Sequence, residues 1–214
     1  MAASSRIIDL RRLLAERFPQ TFAPAADRLA TGLPAIDKLV GGLPKNAITE
    51  LTSRNLSGGS AFLIHALLQR AHLENFFVAL IDGADSFDPQ PAGKALRNLL
   101  WIRCRHVSEA IQATDLVLRD GNFPLVILDL ILNAGEELRK IPQTNWYRLQ
   151  RLVETAPAAF LVLTRRSISS SAQLKLSLEN AWRLADLEEP DLSGQLKIRV
   201  ERRHGQGESM ARTG

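Results

Sequence analysis

Residues 47–73 read AITELTSRNLSGGSAFLIHALLQRAHL, and this stretch decides the fold. Its apolar start, Ala47–Thr52, predicts a β-strand, and its end, from Ser60 to about Leu73, predicts a helix. Between them lies the polar loop Ser53–Gly59. In α/β proteins a strand, a glycine-containing loop and a helix in this order present free backbone N–H groups to an anion. This loop is therefore the first place to look for function.

The alternation of strands and helices continues along most of the chain. The further predicted strands are Phe76–Ile81 (ending on Asp82), Leu100–Arg103, Pro124–Asp129 and Ala158–Thr164, and the further predicted helices are Ala92–Leu99, Ser108–Arg119 and Asn145–Glu154. Pro124–Asp129 is almost wholly apolar, which is typical of a strand at the buried centre of a parallel sheet. The pattern predicts an α/β fold with a mainly parallel central β-sheet and helices on both faces.

The C-terminal part of the chain departs from this alternation. Two predicted strands, Asn180–Asp186 and Gln195–Arg202, follow each other through the acidic turn Glu188–Gly194. Because no helix separates them, we expect an antiparallel hairpin at the sheet edge. Residues 206–214 are polar and contain glycine, so they are predicted to form a flexible tail behind a core domain of residues 31–205.

Residues 1–30 are predicted to form a short helix and a linker ahead of the core. Within Ser4–Phe18, apolar residues recur at helical spacing, and Pro19 ends the pattern. The following residues, Gln20–Ala30, are rich in alanine and proline. The helix either docks on a neighbouring molecule or packs on its own domain, and the sequence favours neither. The candidate contact residues are Ile7, Leu10, Leu14, Phe18 and Phe22.

The composition is that of an ordinary globular protein of one domain, with 45% hydrophobic residues among 214. The 27 basic and 23 acidic residues give a net charge of +4, which is compatible with nucleic-acid binding and does not require it. The single cysteine, Cys104, excludes an internal disulfide, and the four histidines lack ligand spacing, so no metal site is expected. No apolar run reaches membrane-spanning length and no secretory signal is evident, so a cytoplasmic protein is expected.

The loop corresponds imperfectly to a nucleotide-binding P-loop. That motif reads G-x-x-x-x-G-K-[ST], in which the lysine contacts the β- and γ-phosphates and the hydroxyl contacts Mg²⁺. Here Ser53 replaces the first glycine and Gly59 replaces the lysine, whereas Gly58 and Ser60 keep the second glycine and the hydroxyl. Arg54 is the basic residue within the loop that could reach a phosphate. Taken alone, the window is no more than a glycine-containing turn.

The segments on either side of the loop support its interpretation as an altered phosphate loop. Upstream, residues 31–39 read TGLPAIDKL and residues 41–51 read GGLPKNAITEL; downstream, residues 79–89 read ALIDGADSFDP, and a later apolar strand ends on Asp129. These elements resemble the RecA/RadA recombinase family, with its T-G-x-x-x-L/I-D, G-G-L/I-P-x-G-x-I-x-E-I and F-I-D-A-E-x-x-x-D-P segments and its Walker B strand. The resemblance runs from about Thr31 to Arg203 and implies a RecA-like fold.

The resemblance also implies that the catalytic machinery is missing. The lysine position is Gly59, the position of the glutamate that orients the attacking water is Ala84, and the glutamine that senses the γ-phosphate falls near Thr164. Asp85 stands beside Ala84 but is shorter and out of register. Asp129 remains as the Walker B-like acid, with an expected structural role. No catalytic residue and no cofactor are therefore expected, and the vestigial nucleotide site comprises Ser53, Arg54, Gly58, Gly59, Ser60, Ala84, Asp129 and Thr164.

Two other interpretations of the same fold stay open. In the first, the protein is a RecA-like, DNA-dependent ATPase with an irregular phosphate loop, in which Arg54 or Lys45 replaces the missing lysine. In the second, the protein is a regulator that caps or poisons a true RecA filament through its N-terminal helix.

Within the RecA/RadA family the chain is most similar to the short ImuA-like branch. The likeness lies in its length, the basic N-terminal helix, residues 98–104 (NLLWIRC) and the helix over Ala110–Leu118. It implies an accessory role in the SOS-type DNA damage response and in mutagenic translesion synthesis. The implied partners are a Y-family polymerase-like protein, an error-prone replicative-type polymerase and RecA, with self-association and single-stranded DNA as further possibilities.

Two arginine pairs are candidates for DNA contact. Arg165 and Arg166 follow the strand that ends at Thr164 and precede the serine-rich segment Ser167–Ser171, which is predicted to be flexible; in recombinases the loop after this strand contacts single-stranded DNA. The alternative is a solvated basic pair at a strand end. Arg202 and Arg203 end the last predicted strand, where charges also discourage edge-to-edge pairing.

Overall fold

The computed structural model describes residues 28–183 and 194–203. Its strands are β1 (Arg28–Leu29), β2 (Leu43–Pro44), β3 (Ala47–Ser53), β4 (Val78–Asp82), β5 (Leu99–Arg103), β6 (Leu125–Asp129), β7 (Ala159–Thr164), β8 (Leu174–Leu178) and β9 (Ile198–Arg203). Its helices are α1 (Pro34–Val40), α2 (Ser60–Leu73), α3 (Val107–Asp120), α4 (Gly135–Arg139) and α5 (Gln143–Thr155), and Gln90–Asn98 forms 3₁₀ turns. The predicted N-terminal helix with its five candidate contact residues, and the predicted tail, lie outside the described residues.

Strands β3 to β9 form one sheet in the order β5-β4-β6-β7-β3-β8-β9. Neighbouring strands are parallel throughout, except that β9 runs antiparallel to β8. β1 and β2 form a separate two-stranded ribbon. The predicted α/β fold with a mainly parallel sheet and an antiparallel hairpin near the C-terminus is confirmed, and the layout is consistent with a RecA-like domain.

Helices cover the sheet on both faces and divide the hydrophobic core in two. On one face α1 and α2 pack on side chains such as Leu51, and on the other α3, α4 and α5 pack on side chains such as Ile48. Both residues belong to β3, whose seven residues are all buried. A strand with a neighbour on each side and helices on each face has no solvent-exposed side, which explains why its sequence shows no alternation of apolar and polar residues.

The hairpin uses a different first strand from the predicted one. β8 is Leu174–Leu178, whereas Asn180–Arg183 belong to no strand and residues 184–186 lie outside the described part of the chain. The period-two pattern LKLSL, with buried leucines at alternate positions, fits a strand covered on one face. For residues 180–183 the predicted strand is wrong, because Asn180 and Trp182 bond to loops instead of to a strand ladder.

Other elements also differ from prediction or were not predicted. Helix α1, the ribbon β1–β2 and helix α4 lie in stretches for which no element was predicted. The predicted helix Ala92–Leu99 is instead a 3₁₀ segment kinked at Gly93, which has φ +52°.

None of the helices in the described ranges has the length and apolar composition that crossing a bilayer requires.

Candidate functional site

The carboxyl ends of the central parallel strands meet at one edge of the sheet. The ladders pair Thr52 of β3 with Thr164 of β7, and Asp82 of β4 with Asp129 of β6. Loops that follow these strands therefore converge on this edge, where open α/β sheets bind ligands. The structure places the predicted loop 53–60 and the predicted residues Asp129 and Thr164 at this edge.

The loop 53–60 is closed on itself by short-range hydrogen bonds. The Ser53 hydroxyl donates to the carbonyl oxygen of Asn55 at 2.7 Å, and the Gly58 amide donates to the same oxygen at 3.1 Å. A Cβ atom at Gly58 would collide with the Ser53 hydroxyl. Glycine is therefore required at this position by packing inside the loop, whether or not a phosphate is bound.

The position of the missing lysine is covered by another part of the chain. Gly59 has φ +96°, in the left-handed region, and a Cβ atom built there would lie 3.0 Å from the Trp182 ring and 3.2 Å from Leu196. The Trp182 amide donates to the Ser57 carbonyl oxygen at 3.0 Å. The Trp182 ring also packs edge-on against Phe62 of α2, with 5.6 Å between ring centroids. An indole ring thus fills the space beside Gly59.

The two cations considered as replacements for the lysine lie in different places. Arg54 is an exposed residue of the loop itself. Lys45 bridges Ala159, the first residue of β7, so it lies at the amino-terminal edge of the sheet. The length of β3, roughly 20 Å at about 3.3 Å per residue, separates Lys45 from the loop. The suggestion that Lys45 replaces the P-loop lysine is therefore wrong, and Arg54 remains.

The loop after β4 is organised by the buried carboxylate of Asp82. Its oxygens accept hydrogen bonds from the backbone amides of Ser86 and Phe87, both at 2.8 Å, and from the Trp101 indole at 3.3 Å. Asp82 therefore fixes the course of the segment that carries Ala84. With its hydrogen-bonding capacity used in this way, Asp82 has a structural role.

Ala84, at the position expected for the catalytic glutamate, has no side chain that could orient a water molecule. Its neighbour Asp85 forms a two-point contact with Arg103, with one N–O distance of 2.7 Å, and the guanidinium lies 5.0 Å from the centroid of the Trp101 ring. The hydrogen bond from Arg103 lowers the pKa of Asp85. Asp85 is therefore paired with β5 and does not replace the missing glutamate.

Asp129 and Thr164 are held in apolar surroundings at the same edge. Burial, with a smaller contribution from the like charge of Asp82, raises the pKa of Asp129 to about 6, although the Ile131 amide donates to its carboxylate at 3.0 Å. Thr164 is fully buried, and its hydroxyl has no hydrogen-bond partner among the described residues. Thr164 is thus shorter than the glutamine expected near this position and is closed off from solvent.

A buried ion pair fixes the loop between β7 and β8. Glu50, fully buried in β3, accepts hydrogen bonds from the Ser167 hydroxyl at 2.7 Å and from the amides of Ile168 and Ser169 at 2.6 and 3.0 Å. Lys175 of β8 lies 3.1 Å from the same carboxylate. This connection crosses β3 without a helix, and Glu50 holds it in place.

The predicted DNA-contact residues lie beside this fixed loop. Arg165 and Arg166 are both exposed where β7 ends. The segment Ser167–Ser171, predicted to be flexible, is pinned by Glu50, and Ser169 and Ser171 are buried within it. Arg202 is exposed on β9 and lies opposite Lys175 in the ladder, so it is one strand away from the loop. For Arg203 the structure gives only the strand position.

Sequence reasoning missed the roles of Glu50 and Trp182. A single charged residue inside a strand that is otherwise uncharged was a signal for Glu50, because a buried carboxylate needs a partner. Nothing near the loop in sequence pointed to Trp182, which lies more than 100 residues later.

No protein-family model matches the chain, and no curated protein matches its sequence.

Proposed function

We propose that this protein is a catalytically inactive, RecA-like accessory protein whose phosphate loop no longer binds ATP productively. The observation that carries the proposal is the position of Trp182, which fills the space beside Gly59 where a P-loop has its lysine. At this one position, therefore, the cationic side chain of a P-loop is absent and the Trp182 ring occupies the adjacent space.

The chemistry of phosphoryl transfer explains why this combination matters. The reaction needs positive charge around the transferred group and a residue that orients the nucleophile. The site provides Gly59 and Ala84 at those positions, and Asp85, the residue after Ala84, is paired with Arg103.

The biological role follows from the resemblance to ImuA-like proteins. We propose that the protein takes part in the SOS-type DNA damage response and in mutagenic translesion synthesis, and that it binds a Y-family polymerase-like partner, RecA and single-stranded DNA. The exposed arginines Arg165 and Arg166, on a loop held by Glu50, support the DNA part of this proposal. A loop that is already ordered loses less conformational entropy when it binds a phosphate backbone.

The proposal is tested by measuring ATP hydrolysis with and without single-stranded DNA, and melting with and without Mg-ATP. We expect no turnover above background and no change in melting temperature. Because ligand binding to the folded state raises stability by mass action, the melting experiment detects binding even without turnover. A saturable ATPase rate that DNA stimulates would overturn the proposal.

The competing ATPase interpretation makes a distinct prediction about Arg54. If Arg54 replaces the lysine, then Arg54→Ala abolishes nucleotide binding and turnover. The matched control is Arg139→Ala, an exposed arginine on α4, which leaves both unchanged. If neither variant alters an ATPase activity that the wild type possesses, both interpretations fail.

The interpretation as a filament regulator is separated from the first by truncation. Removing residues 1–20 deletes the predicted amphipathic helix and leaves the described part of the chain intact. Loss of RecA-filament binding with retention of the polymerase-like partner favours the regulator, whereas loss of both favours the accessory role.

A further inference from the structure

The segment Asn180–Trp182, which we call the strap, crosses the loop 53–60 and contacts it at both ends. The Asn55 side-chain amide donates to the Asn180 carbonyl oxygen at 3.1 Å, and the Trp182 amide donates to the Ser57 carbonyl oxygen at 3.0 Å. The loop contributes a side-chain amide to the first bond and a backbone carbonyl oxygen to the second. Two polar groups of the loop are therefore hydrogen-bonded to the strap.

The strap is also tied to the edge hairpin. The Asn180 side chain donates to the Gln195 carbonyl oxygen at 2.9 Å and accepts from the Lys197 amide at 2.7 Å. Leu196, which lies between these two residues, is buried and approaches Gly59 from the same side as Trp182. One asparagine side chain thus joins the strap to the residues that lead into β9.

Gly59 makes this arrangement possible in two ways. Its φ of +96° is a conformation that residues with a Cβ atom rarely adopt. In addition, a Cβ atom would lie 3.0 and 3.1 Å from two carbons of the Trp182 ring, which is tighter than an ordinary van der Waals contact. A residue with a Cβ atom at this position, a lysine included, would require the indole ring to move by a few tenths of an ångström.

We propose that the strap is a built-in occupant of the phosphate loop, that it holds the loop closed, and that it fastens the β8–β9 hairpin to the loop as one unit. Gly59 is the positioning residue that admits the Trp182 ring. This inference rests on the proposed function, since it assigns an intramolecular occupant to the loop that has lost productive ATP binding. It adds that the loop keeps its shape because it has a structural partner.

The first test is amide hydrogen exchange on the full-length protein with Trp182→Ala. We expect amides of residues 55–60 and 195–198 to exchange at least about tenfold faster than in the wild type, while those of β6 keep their rates. The matched control is Trp101→Ala, which removes an indole that contacts Asp82 and Phe87 and not the strap. It should speed exchange in residues 83–88 and leave residues 55–60 unchanged. Unchanged exchange in 55–60 with Trp182→Ala, or a uniform increase over the chain, would refute the strap.

The second test is a double-mutant cycle between Gly59 and Trp182, measured by urea denaturation. The cost of the left-handed backbone falls equally on Gly59→Ala in both backgrounds, so the cycle cancels it and isolates the clash with the ring. We expect Gly59→Ala to reduce the folding equilibrium constant about tenfold more when Trp182 is present than in Trp182→Ala. Trp182→Phe, which keeps a smaller ring, should give an intermediate coupling. Equal effects in both backgrounds would contradict the proposed role of Gly59.

The same variants separate failure of the strap from failure of the proposed function. If the wild type does not hydrolyse ATP and Trp182→Ala leaves the loop protected, the strap is wrong and the proposed function stands. If the wild type hydrolyses ATP and Trp182→Ala opens the loop, the proposed function is wrong, and the strap is a gate over a working site instead of a permanent occupant.

Discussion

Glu50 shows how one residue can determine the course of a loop. Its carboxylate is fully buried, it accepts three hydrogen bonds from Ser167, Ile168 and Ser169, and it faces Lys175, whose side chain is only 13% exposed. Glu50→Gln should lower the free energy of unfolding by about 3–5 kcal/mol, because it leaves the lysine buried without its counter-charge. Urea denaturation at pH 7 measures the loss.

A matched control for Glu50→Gln is Glu136→Gln, the same change at an exposed position of α4. It should alter the free energy of unfolding by less than about 0.5 kcal/mol. Similar small effects of both variants would show that the contacts of Glu50 contribute little to stability.

Asp129 provides a prediction about pH. Its pKa is raised from 3.8 to about 6 by burial, so the folded protein holds this proton more tightly than the unfolded chain does. Its contribution to the free energy of unfolding therefore falls as pH rises through the range from about 4 to about 6, and it stays low above that range. Asp129→Asn should remove this fall while keeping an acceptor for the Ile131 amide.

The measurement for Asp129 is the difference in unfolding free energy between Asp129→Asn and the wild type at several pH values. The variant should gain stability relative to the wild type across pH 4–6, with no further change up to pH 8. Other carboxylates titrate in both proteins and cancel in the difference. A difference that does not vary with pH would mean that Asp129 keeps its ordinary pKa.

Among the elements, α3 and α5 are joined by Asp115. Its carboxylate receives hydrogen bonds from Arg148 of α5 at 2.6 and 2.9 Å and from Arg119 of α3 at 2.8 Å. Burial opposes ionisation, but the bonds from the two arginines outweigh it and lower the pKa of Asp115. Asp115→Asn should therefore cost about 1–2 kcal/mol of unfolding free energy at pH 7.

The effect of Asp115→Asn should depend on pH in the opposite sense to that of Asp129→Asn. A lowered pKa adds stability at pH values above the ordinary value of 3.8, and this stability is lost as pH falls through the lowered pKa. The gap between wild type and variant should accordingly shrink below about pH 4. Asp120→Asn, at the exposed end of the same helix, is the control because it removes the same charge without breaking the contacts between the two helices.

Elements were predictable from the sequence where one physical signal was strong. α2 has its predicted bounds, Ser60–Leu73, because a polar glycine loop precedes a long apolar periodicity. The buried strands β4, β6 and β7 were found as apolar runs. The first hairpin strand was misplaced because the sheet-like residues around Trp182 were read as a strand, although they pack on a loop. Whether these residues form a strand or pack on the loop depends on Gly59, which is distant in sequence.

At the scale of the whole molecule, nucleic-acid binding is the property to measure. If Arg165 and Arg166 each contact a phosphate, the double variant to alanine should weaken single-stranded DNA binding. It should also reduce the slope of log K against log salt by about 1.4, since each contact on a single strand contributes about 0.7. A salt titration by fluorescence anisotropy measures both quantities.

The control for this titration is the double alanine variant of Arg139 and Arg151, two exposed arginines on α4 and α5. It removes the same net charge from the helical face. Equal changes in slope for both double variants would indicate binding through net charge instead of through the loop after β7.

Only part of the candidate site could be predicted from the sequence. The location of the loop at the edge of the sheet, and the expectation that Gly59, Ala84 and Thr164 replace catalytic residues, came from motifs that are local in sequence. What fills the site did not, because the contacts of Trp182 and Glu50 join segments whose residue numbers differ by more than 100. Such contacts depend on strand order, which no local pattern specifies.

The place of β3 between β7 and β8 has a consequence for synthesis of the chain. β3 is made early, yet its two partner strands begin at Ala159 and Leu174. At about 5–20 residues per second, this apolar strand waits on the order of 10 s for its neighbours to be translated. During that time both of its backbone edges are open to wrong partners, including other nascent chains. From this order of strands we expect the unfinished chain to be prone to aggregation, so that a ribosome stalled before residue 174 yields an aggregation-prone product.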